Sequence, residues 1–265
     1  VSDGSASDAS ELTALSRAVA SEVSIWDGEM EVRYSAGKRL VKRYRASPAG
    51  PFVKELHMSE RGSLDNLVLR DCKYEARELL SDDVEVKVRA VGLNFRDVLN
   101  VLGMYPGDPG APGCEFAGVV TRVGSEVRRF NVGDEVMGIC EDGLREVVVQ
   151  HQVLMHHKPS TVSMQEAATI PVVFCTVELA LRDLAGLKRG DSILIHAAAG
   201  GVGLAAIQFA KRVGAHIFAT ASEGKHAYLK GLGVDFISTS RDASQFSRDM
   251  RDALGPSGSV DVVLN

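Results

Sequence analysis

The stretch His196-Ala197-Ala198-Ala199-Gly200-Gly201-Val202-Gly203-Leu204-Ala205-Ala206 sets Gly201, Gly203 and Ala206 in the spacing G-x-G-x-x-G/A. The spacing gains meaning from its flanks: the apolar run Ser192 to Ile195 precedes it and a helical pattern follows. That strand–turn–helix order is the setting of a dinucleotide-binding turn. There Gly201 makes the tight turn, Gly203 lets backbone approach a pyrophosphate, and the small Ala206 lets helix and strand pack closely. Free N–H groups at the helix start favour the phosphate charge. The alternative is a plain helix–sheet packing motif. One strand later the chain reads Thr220-Ala221-Ser222-Glu223-Gly224-Lys225. A reader of NAD places an acidic residue here to hold the ribose diol. The Ser222 hydroxyl and Lys225 ammonium instead suit a 2′-phosphate, which needs donors and positive charge. The expected cofactor is therefore NADP, with Glu223 discordant and a solvated Lys225 as the alternative.

These residues need a scaffold, and the pattern predicts two kinds of element. Residues 1 to 10 have linker composition. A short amphipathic helix is expected over Glu11 to Glu22, then a hairpin of Met30 to Tyr34 and Leu40 to Tyr44. Ser47-Pro48-Ala49-Gly50-Pro51 marks a break. Beyond it come short strands: Val84 to Arg89, with valines inward and charges to water, then Phe116 to Val123, Glu135 to Ile139 and Val147 to Val149. A helix is expected over Asn94 to Leu102. Near residue 160 the pattern changes. Ser163 and Glu166 form a capping box, and a helix is expected over Pro171 to Ala185. Apolar strands then alternate with helices up to Val260–Leu264, as in a parallel sheet covered on both faces. The expected organisation is a linker with hairpin (1–48), a β-rich domain (49–158) and a parallel-sheet α/β domain (159–265).

Composition narrows the function classes. At 265 residues the chain has room for about two domains, and 26 glycines exceed an average share of roughly 7%. The net charge of −5 argues against a general nucleic-acid surface. The longest apolar stretch, Ala167 to Val177, is 11 residues and broken by Pro171, short of the ~18 of a membrane span. No secretory signal is visible, and the cysteines Cys72, Cys114, Cys140 and Cys175 contain no C-x-x-C pair. They read as buried free thiols of a reducing, cytoplasmic compartment, with two disulfides as the alternative.

Further motifs occur in a fixed order: Gly92-Leu93-Asn94-Phe95-Arg96-Asp97, Leu102-Gly103-Met104-Tyr105-Pro106-Gly107, Val132 to Gly138, Pro171 to Thr176, the glycine turn, and Ala219 to Lys225. Together, over about residues 52 to 265, they resemble the enoyl reductase domains of modular polyketide synthases and animal-type fatty acid synthases. These belong to the zinc-free part of the medium-chain dehydrogenase/reductase superfamily. The resemblance implies a GroES-like substrate domain followed by a Rossmann-type cofactor domain, here C-terminally incomplete. It implies NADPH-dependent reduction of a trans-2-enoyl thioester on an acyl carrier protein, with other domains of the same synthase as neighbours. It implies that Tyr105 donates the α-carbon proton, a task that suits a phenol O–H. It also sets the cofactor against Asn94, Thr176, Ala199, Gly200, Gly201, Val202, Gly203, Ser222, Lys225 and Asn265.

Local alternatives stand beside these roles. Tyr105 could be a ring under a Pro-Gly turn, Asn94 a cap, and Thr176 a helix residue bonding its own preceding turn. His151, His156 and His157 read as surface histidines. Departures from the family also matter. Zinc-dependent relatives have cysteine at Asn94 and histidine at Cys114, so no metal is expected. Relatives continue the Thr176 helix with an aromatic pair where this chain has Val177-Glu178, which leaves pocket shape open there. The rival functions are a stand-alone NADPH quinone or enal reductase and a non-catalytic reductase-like domain.

Overall fold

The computed structural model describes residues 32–35, 38–41, 52–73, 78–255 and 258–265. The linker stretch and the helix expected over Glu11 to Glu22 lie outside them. The chain divides into two units, Val1–Gly50 and Pro51–Asn265. In the first, Val32–Ser35 (β1) pairs antiparallel with Lys38–Val41 (β2), from Val32↔Val41 to Ser35↔Lys38.

The second unit opens with an antiparallel pair that the motifs did not announce, Phe52–Met58 (β3) and Leu67–Lys73 (β4). A five-stranded antiparallel sheet follows. It contains Asp83–Gly92 (β5), Glu115–Val123 (β6), Glu135–Ile139 (β7), Val147–His151 (β8) and Met155–His157 (β9), in the order β8-β5-β6-β7-β9. Val84, Val86, Phe116, Val120 and Val136 fill its core, each at most 1% exposed. The expected alternation fails at Glu85, which is buried rather than solvated. β5 has a strand on each side, and Thr121 Oγ1 (2.7 Å) and Arg122 Nη1 (2.9 Å) cover the carboxylate. A buried charge is tolerated when paired and hydrogen-bonded in this way.

Between β5 and β6 lies the helix Phe95–Val101 (α1), with Asn94 at its N-cap. The box at Ser163 forms as expected: Ser163 N–H donates to Glu166 Oε2 (2.8 Å) and Glu166 N–H to Ser163 Oγ (3.2 Å). It starts Met164–Ala167 (α2). Pro171–Val177 (α3) is α-helical, but Glu178–Leu184 widens into a π-helical stretch where one continuous helix was expected.

The remaining strands, Ser192–Ile195 (β10), His216–Ala221 (β11), Phe236–Thr239 (β12) and Val262–Leu264 (β13), form a parallel sheet in the order β12-β11-β10-β13. The helices Gly201–Val213 (α4), His226–Gly231 (α5) and Ala243–Leu254 (α6) connect them. Ile193, Ile195, Ile207, Ile217 and Leu229 form its core. Strand order reverses between β10 and β13, and ligands of such sheets bind outside the carboxyl ends of the strands at that point. No helix among the described residues is long and apolar enough to cross a membrane. All four cysteines are free, but only Cys114 and Cys140 are buried; Cys72 is half-buried and Cys175 exposed.

Candidate active site

Two adjoining cavities lie at the carboxyl ends of the parallel strands. One, of about 460 Å³, is bounded by His196 and Ala197 after β10, Thr239–Asp242 after β12, Phe246, and Asn265 after β13. The other, of about 280 Å³, is lined by Ala197, Ala199, Gly200, Ser222, Lys225 and Arg241, among others. The turn between β10 and α4 is tightly built. Ala197 takes a left-handed conformation, φ 49°, an unusual one for a residue with a Cβ. Gly200 N–H returns to Ala197 O (2.8 Å), and Ala198 N–H reaches Thr220 O on β11 (3.0 Å). Gly203 is buried, and a Cβ there would stand 2.6 Å from Ala198 Cα and O. Its smallness therefore serves helix-to-turn packing, as does that of Ala206, which is fully buried.

Of the residues expected to hold a cofactor, Ser222, Lys225, Ala199 and Gly200 meet around one cavity and Asn265 borders its neighbour. Glu223 lines neither. Arg241 lines both, and the motifs missed it. Its only signal was a cation just past the third apolar strand, which becomes meaningful once β12 is known to lie beside β11. Ser222, Lys225 and Arg241 thus bring three donor-bearing side chains beside the glycine turn, a set able to meet an anionic group.

A third cavity, about 570 Å³, is lined by Asn94, Arg96, Cys114, Cys140, Val172, Cys175, Thr176 and Leu179, with Ile139, Glu141, Gln150 and Leu154 completing it. Helical spacing explains which residues contribute: Val172, Cys175 and Thr176 of α3 and Leu179 of the π-helical stretch after it line the cavity, whereas Val177 is fully buried in the core. Neither Val177 nor Glu178, the pair at which pocket shape was left open, lines this cavity. Glu178 pairs with Arg182 at 2.5 Å. The same helix touches the glycine turn: a Cβ on Gly201 would lie 3.3 Å from Val173 Cγ1. Thr176 joins both of its readings, lining the cavity while its Oγ1 donates to Val172 O at 2.7 Å.

Tyr105 is not among the residues that line this cavity. Arg96 lines the cavity, and its guanidinium carbon lies 5.7 Å from the centre of the Tyr105 ring. Arg96 also donates to Pro109 O at 2.8 Å. His151, His156 and His157 are exposed and line none of these cavities. The thiols of the cavity stay protonated. Burial pushes Cys114 up, and the Asp97 carboxylate adds to the rise. Burial pushes Cys140 to about 12. Loss of water and the Glu115 and Glu178 carboxylates raise Cys175.

Two family models match: the alcohol dehydrogenase GroES-like domain over residues 81–177 and the zinc-binding dehydrogenase over residues 201–265. Erythronolide synthase EryA2 of Saccharopolyspora erythraea is 44% identical over 229 residues, which is 83% of this chain and 6% of that protein. The chain thus spans a small part of the curated relatives it matches. The CurK enoyl reductase structure is 40% identical with a TM-score of 0.74, covering 80% of this chain and 67% of that one. A quinone oxidoreductase from Coxiella burnetii is 32% identical with a TM-score of 0.69, covering 81% and 68%.

Zinc, named in one of those descriptions, does not fit the residues present. Asn94 turns its amide donor toward Glu115 (2.9 Å), and the Arg96 guanidinium lies 3.6 Å from Cys114 Sγ, where a cation would be repelled. Among the described residues no three His, Cys, Asp or Glu side chains gather as a metal site.

Proposed function

The chain belongs to the polyketide synthase enoyl reductases of the medium-chain dehydrogenase/reductase superfamily, and on that premise we propose that it reduces trans-2-enoyl thioesters with NADPH. The observation that carries the proposal is the placement of α3, which lines the 570 Å³ cavity with Cys175 and Thr176 while its Val173 packs on the glycine turn. One helix thereby touches both the cleft and the glycine turn.

Backbone of Ala199, Gly200, Gly201, Val202 and Gly203 would hold the pyrophosphate, and Ser222, Lys225 and Arg241 the 2′-phosphate. Asn265 and His196 would border the adenosine end. Bound there, NADPH supplies hydride to the β-carbon. Asn94 and Thr176 would orient the reacting carbons against it. Tyr105, whose ring lies against the cavity-lining Arg96, would supply the α-carbon proton from its O–H. The raised thiols of Cys114, Cys140 and Cys175 suit an electrophilic alkene, because the thiolate and not the thiol is the nucleophile. The thioester would arrive on an acyl carrier protein, with other domains of the same synthase as neighbours, in the cytoplasm. We assign residues 1–48 to a linking segment, 49–158 to the substrate side and 159–265 to the cofactor side.

The test compares NADPH oxidation with a trans-2-enoyl pantetheine thioester against a free quinone. Faster turnover of the thioester is expected, and faster turnover of the quinone overturns the proposal. Arg241→Ala and Lys225→Ala should each weaken NADPH binding by roughly 10- to 100-fold, as loss of a charged hydrogen bond implies, while leaving NADH binding unchanged. Equal effects on both cofactors would reject the 2′-phosphate assignment.

A further inference from the structure

We propose that Glu115 is the positioning residue of the cleft, a buried carboxylate that joins the Asn94 amide to the first turn of α3. Its kinetic consequence rests on the enoyl reductase reading; its geometry does not. Glu115 opens β6 and is 2% exposed. Its Oε1 accepts from Asn94 Nδ2 at 2.9 Å and its Oε2 accepts from Val172 N–H at 2.8 Å. The carboxylate thereby connects the turn before α1, which carries Asn94, to the helix that carries Thr176. The space for it is provided by Gly92 of β5. A Cβ there would lie 2.4 Å from Glu115 Oε1 and 2.3 Å from Ala168 O, so no larger residue fits.

Both bonds require acceptors on Glu115. A protonated carboxyl, or a glutamine, would set a donor against one of two N–H groups. Val172 N–H belongs to helix backbone and cannot turn away, so Asn94 is the partner that must turn its amide over to keep a bond, and with it loses its present orientation. The titratable groups that face Glu115 are Asp97 of α1, Cys140 after β7 and Cys175 of α3, with Cys114 next to it in the chain. Burial pushes the Glu115 carboxyl above the usual range against the pull of its two donors, and Asp97 adds to the rise. The acid side of the rate profile is therefore set by Glu115: turnover falls as pH drops through its raised value, because only the carboxylate accepts from both Val172 N–H and Asn94 Nδ2 and so holds Asn94 in this orientation.

Two measurements test this on the full chain. With NADPH and an enoyl pantetheine thioester, Glu115→Gln should lower kcat by ~10- to 100-fold, the scale of a small misplacement of reacting groups, with KM unchanged and the acid limb abolished. In the wild-type chain without substrate, the side-chain amide resonances of Asn94 should titrate with a midpoint above the usual carboxylate range. A Glu115→Gln variant that keeps kcat and the acid limb overturns the proposal, and so does a wild-type Asn94 amide that does not titrate. A wild-type chain that fails to reduce enoyl thioesters while its Asn94 amide titrates would overturn the reductase reading and support the positioning role.

Discussion

Gly203 and Gly201 stand two positions apart in one motif, yet their neighbours differ in kind. A methyl group on Gly203 would meet the backbone of Ala198 at 2.6 Å, and neither partner can move without opening the turn. A methyl on Gly201 would meet only the tip of Val173 at 3.3 Å, which a rotamer change relieves. Gly203→Ala should therefore cost about 1–3 kcal/mol, the usual scale of overpacking, and weaken dinucleotide binding as well. Gly201→Ala should leave the melting temperature close to wild type. Thermal melts of the two variants side by side check this, and equal shifts would contradict it. The spacing of these residues was legible because a strand–turn–helix unit is local in sequence. Arg241 was not legible, since it reaches Ala197, Ser222 and Lys225 only through the pairing of β11 with β12. Tyr105 shows the opposite limit. Its motif is plain in the sequence, but the contact of its ring with Arg96 of α1 is announced by no spacing.

At the scale of elements, local chemistry was readable wherever one residue decides the outcome. Ser163 and Glu166 start α2 as expected, and α2 packs Ala167 and Ala168 against Ala117 beneath the cleft. Ser163→Ala should destabilise the chain by about 1 kcal/mol, the usual cost of losing an N-cap, and speed amide exchange in α2 before the sheets are affected. Uniform exchange across the chain would argue that the cap is energetically silent. Elements whose character depends on neighbours were misread. Alternation in β5 pointed Glu85 outward, but a strand on each side buries it under Thr121 and Arg122. The apolar stretch from Pro171 gave one helix, while the chain widens at Glu178, beside the Glu178–Arg182 pair. The β3–β4 pair escaped because its strands are joined by eight residues, 59–66, too many to read as a hairpin turn motif.

Across the whole molecule the order of architectures, β-rich then α/β, follows from periodicity alone. What periodicity cannot supply is the charge network linking distant segments. Glu55 on β3 receives Arg70 from β4 at 2.5 Å and Arg145, 90 positions away, at 3.1 Å. Burial would raise its carboxyl, but Arg70, Cys72 and Arg145 together hold it below the usual range. Glu115 and Asp142 go the other way, both raised chiefly by burial. The signs decide the pH dependence of folding. Where the native carboxyl is raised, the folded chain binds more protons than the unfolded one, so stability grows as pH falls from neutral toward the ordinary range near ~4. Where it is lowered, as at Glu55, stability is complete above the unfolded value and is lost as pH falls through the folded one. The melting temperature should accordingly hold level or rise slightly on mild acidification, then drop once Glu55 takes up its proton. Glu55→Gln should lower the melting temperature at neutral pH and flatten the drop at low pH, whereas Glu115→Gln should remove the rise on mild acidification and keep the drop. Melting curves of the three proteins across that range check both arms. A wild-type curve that falls steadily from neutral pH would show that the buried carboxylates are not raised in the folded chain.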